Sequence, residues 1–217
     1  MSDKSQRNLT AIDRLIGGID RALKTVSVGA TQATRISPAR PHRSADLDAD
    51  ERLHVSGLMR VNHTGEVCAQ ALYQGQALTA HKASIRQSMR QSAKEEEDHL
   101  AWCEERLGEL GSRPSVLNPI FYSLSFSVGA LAGLLGDKWS LGFVAATEDQ
   151  VCQHLRSHLQ QLPHRDKKSK AVLEQMLEDE AHHANVALDA GGIAFNKPTK
   201  KLMTAISAVM TNTTYRI

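Results

Sequence analysis

Two stretches of the chain place a glutamate three residues ahead of a histidine inside a helical pattern: Glu96 and His99 in "KEEEDHLAW", and Glu180 and His183 in "LEDEAHHANVAL". At about 3.6 residues per turn this spacing puts both side chains on one helix face, within reach of a single ion. One such match is weak evidence, because "ERLH" (Glu51 to His54) fits it too. The later two gain weight from a lone glutamate ahead of each, Glu66 in "RVNHTGEVCAQALY" and Glu148 in "FVAATEDQVCQHL". The separations nearly agree, 30 residues from Glu66 to Glu96 and 32 from Glu148 to Glu180. In an antiparallel helical hairpin, residues equidistant from the turn stand level. Two such hairpins deliver Glu66, Glu96 with His99, Glu148, and Glu180 with His183 to one level of a four-helix bundle.

One Glu from each of two helices and a Glu-x-x-His from each of the other two is the ligand set of a carboxylate-bridged dinuclear metal site. Four carboxylates offset most of the charge of two divalent ions held about 3.5–4 Å apart. Imidazole turns such a site towards iron or manganese and away from magnesium. Without a cation, four glutamates in a bundle core would be heavily desolvated. The Glu51/His54 match fails the level test, since His54 lies 12 residues before Glu66 on the same helix, about 18 Å along the axis; it is read as surface. His182 points about 100° away from His183 round the helix and falls outside the set. His63, one turn before Glu66, is a candidate outer neighbour. Asp179 and Glu95, directly ahead of the two motifs, can accept the second ring N–H of a metal-bound imidazole, each serving the histidine of the opposite motif. Cys103 and Cys152 share faces with His99 and Glu148 and read as small core residues.

The elements that must position these groups are helical throughout. Aromatic residues make up 4% of the 217-residue chain, Ala and Leu dominate the apolar set, and strand-like alternation is scarce, so the fold class is all-α. Leu9, Ile12, Ile16, Ile19, Leu23 and Val26 form an amphipathic stripe over 9–26. A loop with two prolines follows, and residues 1–47 form an N-terminal helix and loop ahead of a bundle domain at 48–217. Helices are expected over 48–80, 82–110, 139–161, 166–190 and 198–211. The midpoint of the second hairpin falls beside Pro163, a good break; that of the first falls at residue 81, a weaker one. Between the hairpins, residues 114–136 carry no charge.

Composition excludes several functions. A net charge of +2 argues against nucleic-acid binding. Cys68, Cys103 and Cys152 are odd in number and never paired as C-x-x-C, which indicates neither a disulfide framework nor a zinc site and suits a reducing compartment. The first 15 residues lack the apolar run of a secretory signal, and the chain is read as a bacterial cytosolic one. "GALAGLLG" has the wrong spacing for a dinucleotide-binding turn, so electrons for any redox chemistry must come from outside.

"MRVNHTGEVCAQALYQGQ", "EEEDHLAWCEERL", "GFVAATEDQVCQHL", "LEDEAHHANVALDAGG" and the terminal "YRI" resemble the demethoxyubiquinone hydroxylases of ubiquinone biosynthesis, carboxylate-bridged di-iron monooxygenases of ferritin-like fold. The resemblance spans most of residues 50 to 217. It implies a ferritin-like four-helix bundle with a long apolar crossover and additional amphipathic terminal helices. It further implies two iron ions held by Glu66, Glu96, His99, Glu148, Glu180 and His183, with Glu96 and Glu180 bridging. The implied reaction is hydroxylation of the ring of 3-demethoxyubiquinol, a polyprenylated benzoquinol, by O2. An external reductant, a reductase or the quinol itself supplies electrons, and other ubiquinone-biosynthesis proteins are expected partners. Such a substrate lives in the bilayer. The 23-residue charge-free crossover approaches the roughly 20 residues of a spanning helix, but Pro119 and the serines favour lying in the interface. The chain is therefore expected peripherally at the cytoplasmic face of the bacterial cell membrane, where a charge at Ser125 or Gly129 should release it. Two other readings are an iron-storage or ferroxidase protein, which would form a large soluble assembly, and a non-catalytic membrane adaptor, which would bind no iron.

Overall fold

The computed structural model describes residues 10–217, and among them every regular element is an α-helix. In chain order these are α1 (Ala11–Val26), α2 (Ala49–Thr79), α3 (Ala83–Glu109), α4 (Asn118–Leu134), α5 (Asp137–Gln161), α6 (Lys167–Asp189) and α7 (Lys197–Thr214). The expected boundaries hold to within about three residues, the usual latitude at helix ends. Leu9, the first position of the amphipathic stripe, lies outside the described residues.

Four long helices make the bundle. α2 pairs with α3 and α5 with α6 as hairpins, while α3 meets α6 and α2 meets α5 across the centre. The second hairpin turns at Pro163 and ends on Asp166, whose carboxylate accepts from the Ser169 N–H and caps α6. The first turn, the weaker one in the sequence, is held from outside the hairpin: Asp137 at the start of α5 accepts from the backbone N–H groups of His81 and Lys82, at 3.0 and 3.1 Å. A charged residue 55 positions further on thus supplies the stop that no local residue does.

Apolar side chains fill the bundle in two layers. One joins Met59, Trp102, Cys103, Leu155, Leu173 and Met176; the other joins Ala69, Tyr73, Met89, Val144, Ala145 and Ala187. Along every helix the predicted carboxylates and histidines fall in the gap between these layers. Packing on both sides fixes the level at which a polar cluster sits and excludes water from it.

The crossover helix α4 lies along α2, and glycines set how closely. A Cβ at Gly129 would come 2.3 Å from the Leu72 carbonyl, and one at Gly75 2.3 Å from that of Phe126. α4 buries Asn118, Tyr122, Ala132 and Gly133 on this seam and leaves Ile120, Leu124, Leu131 and Leu134 exposed. α1 also faces much of its apolar stripe outwards: Ile12, Ile16, Ile19 and Leu23 are exposed, while Ala22 and Val26 pack against the cluster of Val67, Ala71, Leu100 and Tyr122. α7 is tied to α5 through Lys200 to Asp149 and Gln150 to Ser207. The chain end docks on α2, where Gly57 leaves room for the Tyr215 ring and Arg60 donates to the Tyr215 carbonyl. No described helix is long and apolar enough to cross a membrane.

Candidate metal centre

Helical register carries Glu66 on α2, Glu96 and His99 on α3, Glu148 on α5, and Glu180 and His183 on α6 into the gap between the apolar layers. All six are buried, from 0% to 8% exposed. Glu66, Glu96, His99 and Glu180 each offer one ligand atom within 4.8 Å of the others. The two motif glutamates span the pair of histidines. Glu96 places one oxygen 2.8 Å from His99 Nδ1 and the other 2.9 Å from His183 Nδ1. Glu180 does the same at 3.1 and 3.3 Å. Glu66 stands on the His99 side, 3.6 Å away and too far for a hydrogen bond. Glu148 accepts from the Tyr73 hydroxyl at 2.6 Å.

Each imidazole therefore aims Nδ1 inwards and donates Nε2–H outwards. The outer acceptors are crossed between the motifs as the sequence suggests: His99 donates to Asp179 at 2.8 Å and His183 to Glu95 at 3.0 Å. This fixes the tautomer that leaves Nδ1 free for a metal.

Electrostatics expose the demand for positive charge. Burial, reinforced by Glu180 and Glu96, holds the carboxyls of Glu66 and Glu148 well above the ordinary carboxylate range. For Glu96 burial acts in the same direction, but His99 and His183 outweigh it and hold the group low. The imidazoles respond in kind. Burial would lower His183, yet Glu180 and Glu96 push it up to about 12, and His99 is raised well above its usual value chiefly by Glu96. Two carboxylate oxygens, Glu66 Oε2 and Glu148 Oε2, find no hydrogen-bond partner, and the two oxygens of Glu96 meet only the inward Nδ1 atoms of the histidines. Buried acceptors are rarely left so. Buried carboxylates beside two inward Nδ1 atoms, with Glu66, Glu96, His99 and Glu180 drawn within 4.8 Å of one another, supply the donor types of a pair of divalent transition ions, and the residues present fit one.

Other residues fall where the spacing placed them, with two corrections. His182 is exposed, and Cys103 and Cys152 are free thiols packed in the interior, Cys103 against Met176 at 3.7 Å. His63, a candidate outer neighbour of the site, instead faces Asn118 on α4 at 3.3 Å. Burial lowers its pKa to about 4, with no contribution from the glutamates. Glu51 and His54 are not plain surface: Glu51 closes the capping box of α2 with Asp48, and His54 bonds the Tyr215 hydroxyl at 2.6 Å. Sequence reasoning missed Tyr73, Asp98 and Arg35. Tyr73 lies seven residues after Glu66, two turns along the same face, a spacing that could have found it. Arg35 sits in an irregular loop where no periodicity points to a partner.

A helical bundle of this form is ferritin-like: a thioferritin, the dodecameric bacterioferritin-related protein from Bacteroides fragilis, superposes with a TM-score of 0.53 over 62% of this chain and 82% of that one, at 15% identity. Residues 53–214 match the family model described as Ubiquinone biosynthesis protein COQ7. Relatives named 3-demethoxyubiquinol 3-hydroxylase share 60% identity in Stutzerimonas stutzeri (strain A1501) and 59% in Azotobacter vinelandii, each over 98% of this chain and 99% of the relative. The Alcanivorax borkumensis relative of that name is 56% identical over 98% of this chain and its own full length. The chain belongs to the COQ7 family of ubiquinone biosynthesis proteins.

Proposed function

We propose that this chain is a 3-demethoxyubiquinol 3-hydroxylase, an O2-dependent monooxygenase acting on the ring of a polyprenylated benzoquinol. The residues that would hold its two metal ions are Glu66, Glu96, His99, Glu148, Glu180 and His183, with Glu96 and Glu180 as the carboxylates both ions would share. The observation that carries this reading is the pair of motif glutamates, each reaching both histidines, beside the partnerless oxygens of Glu66 and Glu148. Family membership turns a dinuclear site into this particular chemistry.

Two irons, when bound here, supply the activation of O2 for insertion into an electron-rich ring. The chain's own part is to hold, orient and shield. Glu66 and His99 would hold one ion and Glu148 and His183 the other, and Asp179 and Glu95 keep both imidazoles donating outwards from Nε2. Tyr73 donates to Glu148 Oε1, which leaves Oε2 as the free ligand atom. Beside Glu148, between α2 and α5, lies a cavity of about 10 Å³ lined by Ala69, Leu72, Tyr73, Phe143, Val144 and Thr147. It has room for about one water-sized molecule. Leu72, Phe143 and Thr147 are half-buried at its outer rim, so the quinol ring enters by displacing them. Electrons come from an external reductant, a reductase or the quinol.

The exposed apolar stripes of α4 and α1 support peripheral attachment to the cytoplasmic face of the membrane, where the polyprenyl tail resides. A host lacking this protein should accumulate a ubiquinone precursor without one ring methoxyl. The wild-type chain should restore ubiquinone, and Glu148→Ala and His183→Ala should not. A normal quinone pool in the deletion strain, or full complementation by both variants, would sink the hydroxylase reading and favour a ferroxidase.

A further inference from the structure

The two hairpins would give two equivalent metal positions if their surroundings matched, but the N-terminal loop breaks the equivalence. Between α1 and α2 the chain brings Thr34 and Arg35 against α3. The backbone N–H of Arg35 and the hydroxyl of Thr34 donate to Asp98 Oδ1 at 3.2 and 3.1 Å. From this anchor the Arg35 guanidinium bridges two carboxylates, Nε to Asp98 Oδ2 at 2.7 Å and Nη2 to Asp179 Oδ2 at 2.8 Å. That Asp179 oxygen is the one that accepts from His99 Nε2. Trp102 lies beneath the guanidinium, 4.7 Å from its carbon to the ring centre, donates Nε1–H to the Arg35 carbonyl at 3.4 Å, and sits 5.5 Å from the His99 ring. Arg35 is thus fixed on three sides, although its side chain is 41% exposed.

The His183 side has a different outer shell. Glu95 accepts from His183 Nε2, and its other oxygen accepts from the Gln91 side-chain amide at 2.8 Å, as Asp179 Oδ1 does from Gln175 at 3.1 Å, so what the two sides do not share is the arginine. Glu95 is 45% exposed and, among the described residues, pairs with no arginine or lysine. A carboxylate held by a planar guanidinium cannot swing away from its imidazole. One held by a neutral amide at the surface can.

We propose that Arg35 is a positioning residue that acts through Asp179 to lock His99, making the two metal positions unequal: the ion at His99 and Glu66 binds more tightly and leaves last, and the ion at His183 and Glu148 exchanges first. This rests on the ligand assignment made above. Outer-shell carboxylates that orient a metal-bound histidine typically alter affinity about 10–100-fold, and Arg35 controls whether Asp179 is in place.

The test is an anaerobic Co(II) titration of the full-length protein, followed by the visible absorption of the bound ion. Wild type should bind two Co(II) per chain in two resolved steps. Arg35→Gln should weaken the tighter step about tenfold or more, so that the steps converge. Arg35→Lys, which can meet one carboxylate but not bridge both, should fall between. Glu95→Gln should weaken the looser step and widen the gap. The thermal midpoint of each metal-free variant separates positioning from mere loss of structure. If Arg35→Gln leaves both steps within twofold of wild type, or weakens both equally alongside a lowered midpoint, the inference fails and the ligand assignment stands. If wild type itself takes up no more than one Co(II) per chain, the dinuclear assignment fails and this inference with it.

Discussion

At the residue scale, the run "KEEEDHL" shows how one acidic stretch divides its work by angle round a helix. Glu96 and His99 face the centre, Glu95 turns to His183, and Asp98 anchors Arg35. Removing an inward group should cost metal, so Glu96→Ala and Glu180→Ala should each retain clearly less iron than His182→Ala when measured by elemental analysis. Equal retention in all three would place the ligands wrongly. A second prediction concerns histidines buried without a charge partner. His158 lies 2.8 Å from Asn62 Oδ1, and burial, with the nearby His154 and His54, lowers its pKa to about 4. Unfolded, it titrates near 6.5. Between those values the unfolded chain binds the extra proton, so stability falls as pH drops from about 6.5 to about 4, by roughly 3 kcal/mol for this residue. His158→Gln should flatten that limb of the stability–pH curve relative to wild type. An unchanged slope would show that His158 plays no part in acid sensitivity.

At the scale of elements, α4 separates into a packed edge and an outward edge, and the two must be tested by different substitutions. Gly129, which the sequence alone offers as a membrane-facing position, lies in the seam against Leu72. Gly129→Ala should therefore lower stability by about 1–3 kcal/mol in chemical denaturation; a loss below a few tenths would mean the seam opens freely. A charge there would test packing instead of membrane contact. The outward edge is Leu124 and Leu131, 59% and 61% exposed. Leu124→Glu with Leu131→Glu should abolish co-sedimentation with anionic lipid vesicles while helicity and iron content stay as in wild type. Unchanged co-sedimentation would leave the stripe without a membrane role.

For the whole molecule, the question is how a ring reaches a centre enclosed between two apolar layers. The cavity beside Glu148 has Leu72, Phe143 and Thr147 as its half-buried lining and is too small for a quinol as it stands. Leu72→Trp at the rim should leave two irons per chain and reduce quinol turnover about tenfold or more, a barrier of roughly 1.4 kcal/mol. Turnover at the wild-type rate would direct the search for the entry to another face. The N-terminal region belongs to this picture as well, because its loop reaches Asp179 while its helix leaves Ile12, Ile16, Ile19 and Leu23 exposed.

Sequence by itself determined the all-helical class, the helix limits and the six buried ligand candidates, because each follows from a period of 3.6 residues and from equal distances to a turn. It also determined the crossed partners Asp179 and Glu95, which need no more than the register of facing hairpins. Contacts between segments far apart in the chain were decided only by the tertiary structure. His63 was diverted to Asn118, the first turn was stopped by Asp137, and Gly129 was buried against Leu72. Arg35 reached Asp98 and Asp179 from an irregular loop, where backbone geometry and not periodicity aims the side chain. Period and composition describe what a helix presents, but which neighbour covers it depends on how the helices pack.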